Sequence, residues 1–197
     1  MARRRLHSDE SILDATRDLL VVGGADAATT AAISSASGAP VGSLYHRFGS
    51  RTRLFAEVWL RTVGRFQTGL LEAAADGSGV ERAVAAARWT VEFADRRPDD
   101  ARLLLQAGQE QLLRDADLPA ETRQALTDLN RPVTDLLRGL AVDLYGAATP
   151  RHVELVTVAV VDVPYAMVRR HLRRGGVPAS LRAVLADVVR AVLTSPT

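Results

Sequence analysis

The sequence predicts an all-α protein. Two observations carry that expectation. Alanine, leucine and arginine dominate the 197 residues while β-branched residues are modest in number. Apolar side chains also recur at helical spacing through most of the chain. Apolar residues make up 47% and charged residues 24%, which is enough to bury a core. At this length either one domain or a small one joined to a larger one is expected.

Taken in order, the first helix starts at Ser8, a capping residue followed by Asp9 and Glu10 in the first turn. Ile12, Ala15, Leu19 and Leu20 then repeat until "VVGGAD" stops the pattern. Thr29 and Thr30 offer a second cap, for "AAISSAS", whose one large apolar residue is Ile33; Gly38 supplies the left-handed residue that ends it. Pro40 suits the first turn of a third short helix. There Leu44 and Phe48 stand at i and i+4 and pack inward, while Tyr45, His46 and Arg47 project elsewhere. Gly49-Ser50 closes that helix and caps a fourth, "RTRLFAEVWLRTVGRFQTGLLEAAA", with Leu54, Val58, Val63 and Phe66 near one face. Two short helices joined by a tight glycine turn and packed on a longer one form a helix-turn-helix. Its second short helix is the one that enters a DNA major groove.

Periodicity predicts further helices over 80–94, 99–113 and 119–145, the last kinked at Pro132. Val153, Val156, Val160, Val163 and Met167 step by three and four, as do Leu181, Leu185, Val188 and Val192, making stripes suited to a helical partner. Asp162 and Pro164 interrupt the first of these, so a local break is expected there.

Net charge is only +2, yet its distribution is uneven. Residues 1–53 hold seven arginines (3, 4, 5, 17, 47, 51, 53) against five acids (9, 10, 14, 18, 26), so the whole excess lies at the amino end. That is a mild electrostatic footprint for a polyanion. The absence of cysteine removes disulfides, thiolate catalysis and cysteine-ligated metals, and fits a reducing compartment. "MARRRLHSDES" lacks the apolar stretch of a secretion signal. The most apolar segment, Val153–Val168, carries Glu154, Asp162 and Pro164 and falls short of the ~20 residues that span a bilayer. No membrane association is expected, and the location expected is cytoplasmic, on the nucleoid when DNA is bound. His7, His152 and His171 show no HxxxH spacing, so neither a metal nor another cofactor is expected. No GxSxG, P-loop, GxGxxG or clustered acid pair marks an enzyme.

Residues 8–60 resemble the amino-terminal DNA-binding domain of the tetracycline-repressor (TetR) family of transcriptional regulators. The resemblance rests on "ILDATRDLL", "GGADAATTAAI", Gly38 and "GSLYHRFGSRTRLF". It implies a three-helix helix-turn-helix domain over 1–50 and a helical ligand-binding and dimerisation domain over 51–197, about nine helices in all. It also implies a homodimer joined through its last two helices, near 150–174 and 178–194. By position, Thr30, Tyr45 and His46 would touch phosphates, Arg51 would be the basic residue opening the fourth helix, and Val41, Gly42 and Ser43 would face base edges. Two departures matter: Pro40-Val41 stands where members commonly have Ser-Lys, and Ala31 where a polar or basic residue is frequent. The arginine or lysine contact that reads guanine thus has no obvious supplier in the recognition helix. Base reading would rest on Ser43, on Val41 against thymine methyls and on DNA shape, with Arg3, Arg4 and Arg5 as an arm.

Trp59, Phe66, Trp89 and Phe93 lie on helices that line the pocket of this family, although each reads equally well as core. With Gln106, Gln109 and Tyr165 they suggest an apolar cavity with a few polar groups, suited to a small apolar organic effector. The expected function is a ligand-responsive regulator, most simply a repressor, that binds a palindromic double-stranded operator as a homodimer. The alternative is a helical protein-interaction module that has kept the fold and lost operator recognition.

Overall fold

The computed structural model describes residues 8–106 and 109–194, with the backbone alone at Gln109. All regular structure among them is helical: α1 (Asp9–Ala27), α2 (Thr30–Ser37), α3 (Val41–Phe48), α4 (Arg51–Ala73), α5 (Gly79–Arg96), α6 (Pro98–Leu104), α7 (Gln109–Leu113), α8 (Ala120–Asp128), α9 (Arg131–Tyr145), α10 (Pro150–Thr157), a π-helical turn (Val158–Asp162), α11 (Val163–Leu172) and α12 (Leu181–Thr194). The chain condenses into two compact units, residues 1–63 with 102–129 and residues 64–101 with 130–197.

In the first unit the helix ends follow local chemistry. The Ser8 hydroxyl accepts the Ser11 N–H at 3.1 Å and the Thr29 hydroxyl accepts the Ala32 N–H at 3.1 Å, each satisfying an amide that its helix leaves open. Gly24, at φ 66°, turns the chain out of helical geometry near the end of α1, a conformation that side-chain-bearing residues rarely adopt. Ile12, Ile33, Ala39, Leu44, Phe48, Leu54 and Val58 form one buried core, and Leu103, Leu118 and Leu126, far along the chain, complete it. The Arg123 guanidinium donates to the carbonyls of Leu113 and Asp115, both at 2.6 Å, and so closes the end of α7.

In the second unit α5 packs against α9, α11, α12 and the π-helical turn. Val84, Val91, Phe93, Leu185, Val189 and Leu193 are buried there. On its surface Arg190 grips Glu81 through Nε at 3.1 Å and Nη2 at 3.0 Å; these bonds hold the Glu81 carboxyl below the usual range and raise Arg190.

Three expectations are corrected. The 99–113 segment is two short helices, α6 and α7. Pro132 does not kink a long helix but sits in the first turn of α9, where its missing N–H costs nothing. At Pro164 the helix does not break. Proline has no N–H for the carbonyl four residues back, and the rod widens by one residue instead, the Val163 N–H reaching the Val158 carbonyl. The apolar stripes also split: Val156, Val160, Leu181 and Leu185 are buried within the unit itself, whereas Val161, Tyr165 and Val184 remain exposed. No helix among the described residues is long and apolar enough to cross a membrane.

Candidate functional site

The turn before α3 is held by its serines. The Ser34 hydroxyl donates to the Ala39 carbonyl at 2.7 Å, and the Ser37 hydroxyl donates to the Ile33 carbonyl at 2.7 Å while accepting the Ala39 N–H at 3.3 Å. Gly38, at φ 71°, supplies the left-handed residue between the helices. With Leu44 and Phe48 buried, α3 leaves Val41, Gly42, Tyr45 and His46 exposed and Ser43 half-buried. Thr30 sits half-buried in the first turn of α2. Pro40 gives α3 no side-chain cap, so the first amides of the helix stay open to an acceptor.

The arginines of the amino end are largely paired. Arg17 meets Asp14 at 3.2 Å and Asp18 at 2.7 Å, Arg47 meets Asp9 at 3.1 Å, and Arg53 meets Glu121 at 3.3 Å. Such surface pairs are weak and yield to a competing phosphate; Asp9, Asp14 and Asp18 are already counted against the arginines of residues 1–53, and Glu121 alone is drawn from outside that segment. Arg3, Arg4 and Arg5 lie outside the described residues.

Arg51 is turned inward. Its Nε donates to the Ala28 carbonyl at 3.0 Å, its Nη2 to the Ala25 carbonyl, and its guanidinium lies 4.9 Å from the centre of the Phe55 ring. It therefore ties the end of α1 to the start of α4.

Beside it opens a cavity of about 520 Å³, wholly within the first unit. Leu20 and Gly24 of α1, Phe55 and Trp59 of α4, and Leu103 and Leu112 supply most of its wall. Thr52, Gln106, Gln111 and Asp115 add polar groups. The Thr52 hydroxyl donates to Asp115 Oδ2 at 2.8 Å and the Asp117 N–H to Oδ1 at 2.9 Å; the two bonds, Thr52 foremost, hold the Asp115 carboxyl below the usual carboxylate range.

Residues 12–58, which hold the helix-turn-helix and the start of α4, match the family of bacterial regulatory proteins, tetR family. Over that segment the chain carries the tetR-family domain. Members of that family regulate transcription and are not enzymes. Solved structures share the tetR-family fold over nearly the full length. The fatty acid degradation regulator FadR from Bacillus halodurans is 15% identical, with 96% of this chain and 100% of that one covered and a TM-score of 0.72. A TetR-like transcriptional regulator from Rhodococcus sp. RHA1 is 18% identical, with coverage of 98% and 96% and a TM-score of 0.73. FadR from Bacillus subtilis in complex with stearoyl-CoA is 15% identical, with coverage of 96% and 100% and a TM-score of 0.68. At these identities the likeness is one of fold. No curated protein matches the sequence.

Of the seven expected effector residues, the structure brings Trp59 and Gln106 to the cavity. Phe66, Trp89 and Phe93 lie in the second unit and pack on one another, Phe66 edge-on to Phe93 at 5.3 Å and Trp89 at 6.0 Å from Phe93. The Trp89 indole donates to the Phe66 carbonyl at 2.9 Å. Tyr165 is exposed, and the Gln109 side chain lies outside the described residues. Sequence reasoning missed Leu20, Phe55, Leu112 and Asp115. Phe55 was within reach, since it precedes Trp59 by one helical turn; the others come from segments that only the fold brings together.

Proposed function

We propose that this regulator is a homodimeric, ligand-responsive repressor of a near-palindromic operator. The observation that carries the reading is the exposed face of α3. Val41, Gly42, Ser43, Tyr45 and His46 lie on a short helix that Leu44 and Phe48 anchor by its opposite face. Two such helices, about 34–36 Å apart in a dimer, would meet successive major grooves. Val41 and Ser43 would read base edges, while Thr30, Tyr45 and His46 would hold phosphates. Arg3, Arg4 and Arg5 would add a basic arm, and Arg51 would serve by holding α1 to α4.

The exposed Val161, Tyr165 and Val184 support dimerisation through α10–α11 and α12. An effector would act by favouring a dimer state whose spacing no longer fits the operator. The stearoyl-CoA complex of the Bacillus subtilis FadR supports the view that this fold accommodates an organic ligand.

The pairing of Arg17, Arg47 and Arg53 with carboxylates favours a second reading, an interaction module that no longer reads DNA. Selection from randomised duplex DNA, followed by salt titration of the winner, separates the two. The repressor is expected to enrich an inverted repeat and, with ~6 phosphates neutralised per dimer, to show a log–log salt slope near about −5. Absence of enrichment by folded, dimeric protein would favour the interaction module.

A further inference from the structure

We propose that Asp162 and Arg169 form a reciprocal pair of salt bridges between two copies of this chain. They set α11 antiparallel to its own copy about a point between Tyr165 and Ala166. The proposal rests on the homodimeric reading above and fixes its register.

The first argument is the carboxylate itself. Asp162 is exposed inside the continuous rod of α10, the π-helical turn and α11, beside the exposed Val161 and Tyr165. Its side chain caps no amide and makes no ion pair among the described residues. The rod offers it no cation either, since the positions three and four residues away are Val158, Ala159, Tyr165 and Ala166. A carboxylate that enters an apolar contact is costly unless it is paired there. Its partner therefore comes from the second copy.

The second argument is symmetry. The exposed positions fall in two rows of residues four apart, Val161, Tyr165 and Arg169 in one and Asp162, Ala166 and Arg170 in the other. Pro164, Val168 and Leu172 are buried on the other side of α11. A two-fold contact is reciprocal: if one residue meets a second across it, the second meets the first in return. Turned end for end about the point between Tyr165 and Ala166, the first row of one copy lies on the second row of the other. Tyr165 then covers Ala166 of the partner subunit, whose small side chain leaves room for the ring. Val161 lies under the aliphatic stem of the partner subunit's Arg170, and Asp162 faces the partner subunit's Arg169, once on each side of the axis. One register satisfies all of these pairs. A parallel pairing would instead set carboxylate on carboxylate and guanidinium on guanidinium.

The third argument is availability. Arg169 is exposed and makes no ion pair among the described residues. On α12, by contrast, Arg182 is held by Asp95 at 2.6 Å and Arg190 by Glu81 at 3.0 Å.

The test measures dimer dissociation of the full chain by analytical ultracentrifugation. Asp162→Arg and Arg169→Asp each set like charges across the contact, and each is expected to weaken the dimer about tenfold or more. Both positions are exposed, so helicity by circular dichroism is expected to match the parent. Mixed together, the two variants are expected to form a heterodimer as tight as the parent dimer, because each copy supplies the charge that the other lacks on both sides of the axis. Arg174→Asp, the same change of charge beyond the contact, is expected to leave the dimer intact and not to rescue Asp162→Arg. The neutral pair Asp162→Asn and Arg169→Gln gives a milder double-mutant cycle, in which the combined change is expected to cost no more than either alone. Parent-like dimerisation of either charge-reversed variant, no heterodimer on mixing, equal rescue by Arg174→Asp, or additive costs in the cycle would each overturn the pairing while the homodimer stands. A monomeric parent would overturn both and give this face to a different protein.

Discussion

Arg51 closes the end of α1: its Nε donates to the Ala28 carbonyl at 3.0 Å, and Ala28 is fully buried. The basic residue that the resemblance places at the opening of the fourth helix thus makes its contacts within the chain. Arg51→Met keeps an apolar stem over Phe55 but orphans that carbonyl and that of Ala25, and a loss of about 1–3 kcal/mol is expected in urea unfolding. Arg51→Lys is expected to recover little, because an ammonium cannot span two carbonyls as the guanidinium fork does.

Gly42 separates folding from DNA reading. A Cβ added there meets nothing within 4 Å, so Gly42→Ala is expected to stabilise α3 by about 0.5 kcal/mol through helix propensity. The same methyl would stand on the face proposed to meet base edges. Operator affinity is expected to fall while the melting temperature rises, and unchanged affinity would remove Gly42 from that face.

Tyr45→Ala with His46→Ala tests the proposed phosphate contacts. Both side chains are exposed, so stability is expected to stay within about 0.5 kcal/mol of the parent. Binding is expected to weaken about tenfold on specific and random duplexes alike, as measured by fluorescence anisotropy. A selective loss on the operator would reassign the pair to base reading.

Gly69 is required by Trp89. A Cβ at Gly69 would lie 2.1 Å from Trp89 Cζ2, and the indole is tied by its N–H to the Phe66 carbonyl. Gly69→Ala is expected to cost about 1–3 kcal/mol or more in thermal unfolding. Combining it with Trp89→Leu is expected to restore part of that loss, which a double-mutant cycle would read as coupling.

The Thr52–Asp115 bond has a defined acid limit. Because the folded-state carboxyl is held low, its contribution is present above the ordinary aspartate value of about 3.9 and is lost as pH falls through the lower folded value. The link is therefore expected to persist from neutral pH down to about pH 4. Thr52→Val removes the largest cause, and the Asp115 carboxyl is expected to titrate nearer its ordinary value by NMR.

The local features were legible in the sequence because each depends on residues a few positions apart. Ser8 and Thr29 cap helices, Gly38 needs its left-handed turn, and Leu44 with Phe48 anchors α3 so that Tyr45 and His46 face outward. These are determined by backbone amides, φ angles and helical period, which act over one turn. Tertiary structure alone decided the rest. Whether an arginine meets a carbonyl or a phosphate depends on what folds beside it, and Arg51 met the end of α1. Two tryptophans identical in chemistry differ only in neighbours: Trp89 found the Phe66 carbonyl, and Trp59, beside a cavity walled from α1, α4, Leu103 and Leu112, found no partner among the described residues. Side-chain identity is local, but burial and hydrogen-bond satisfaction belong to the assembled core.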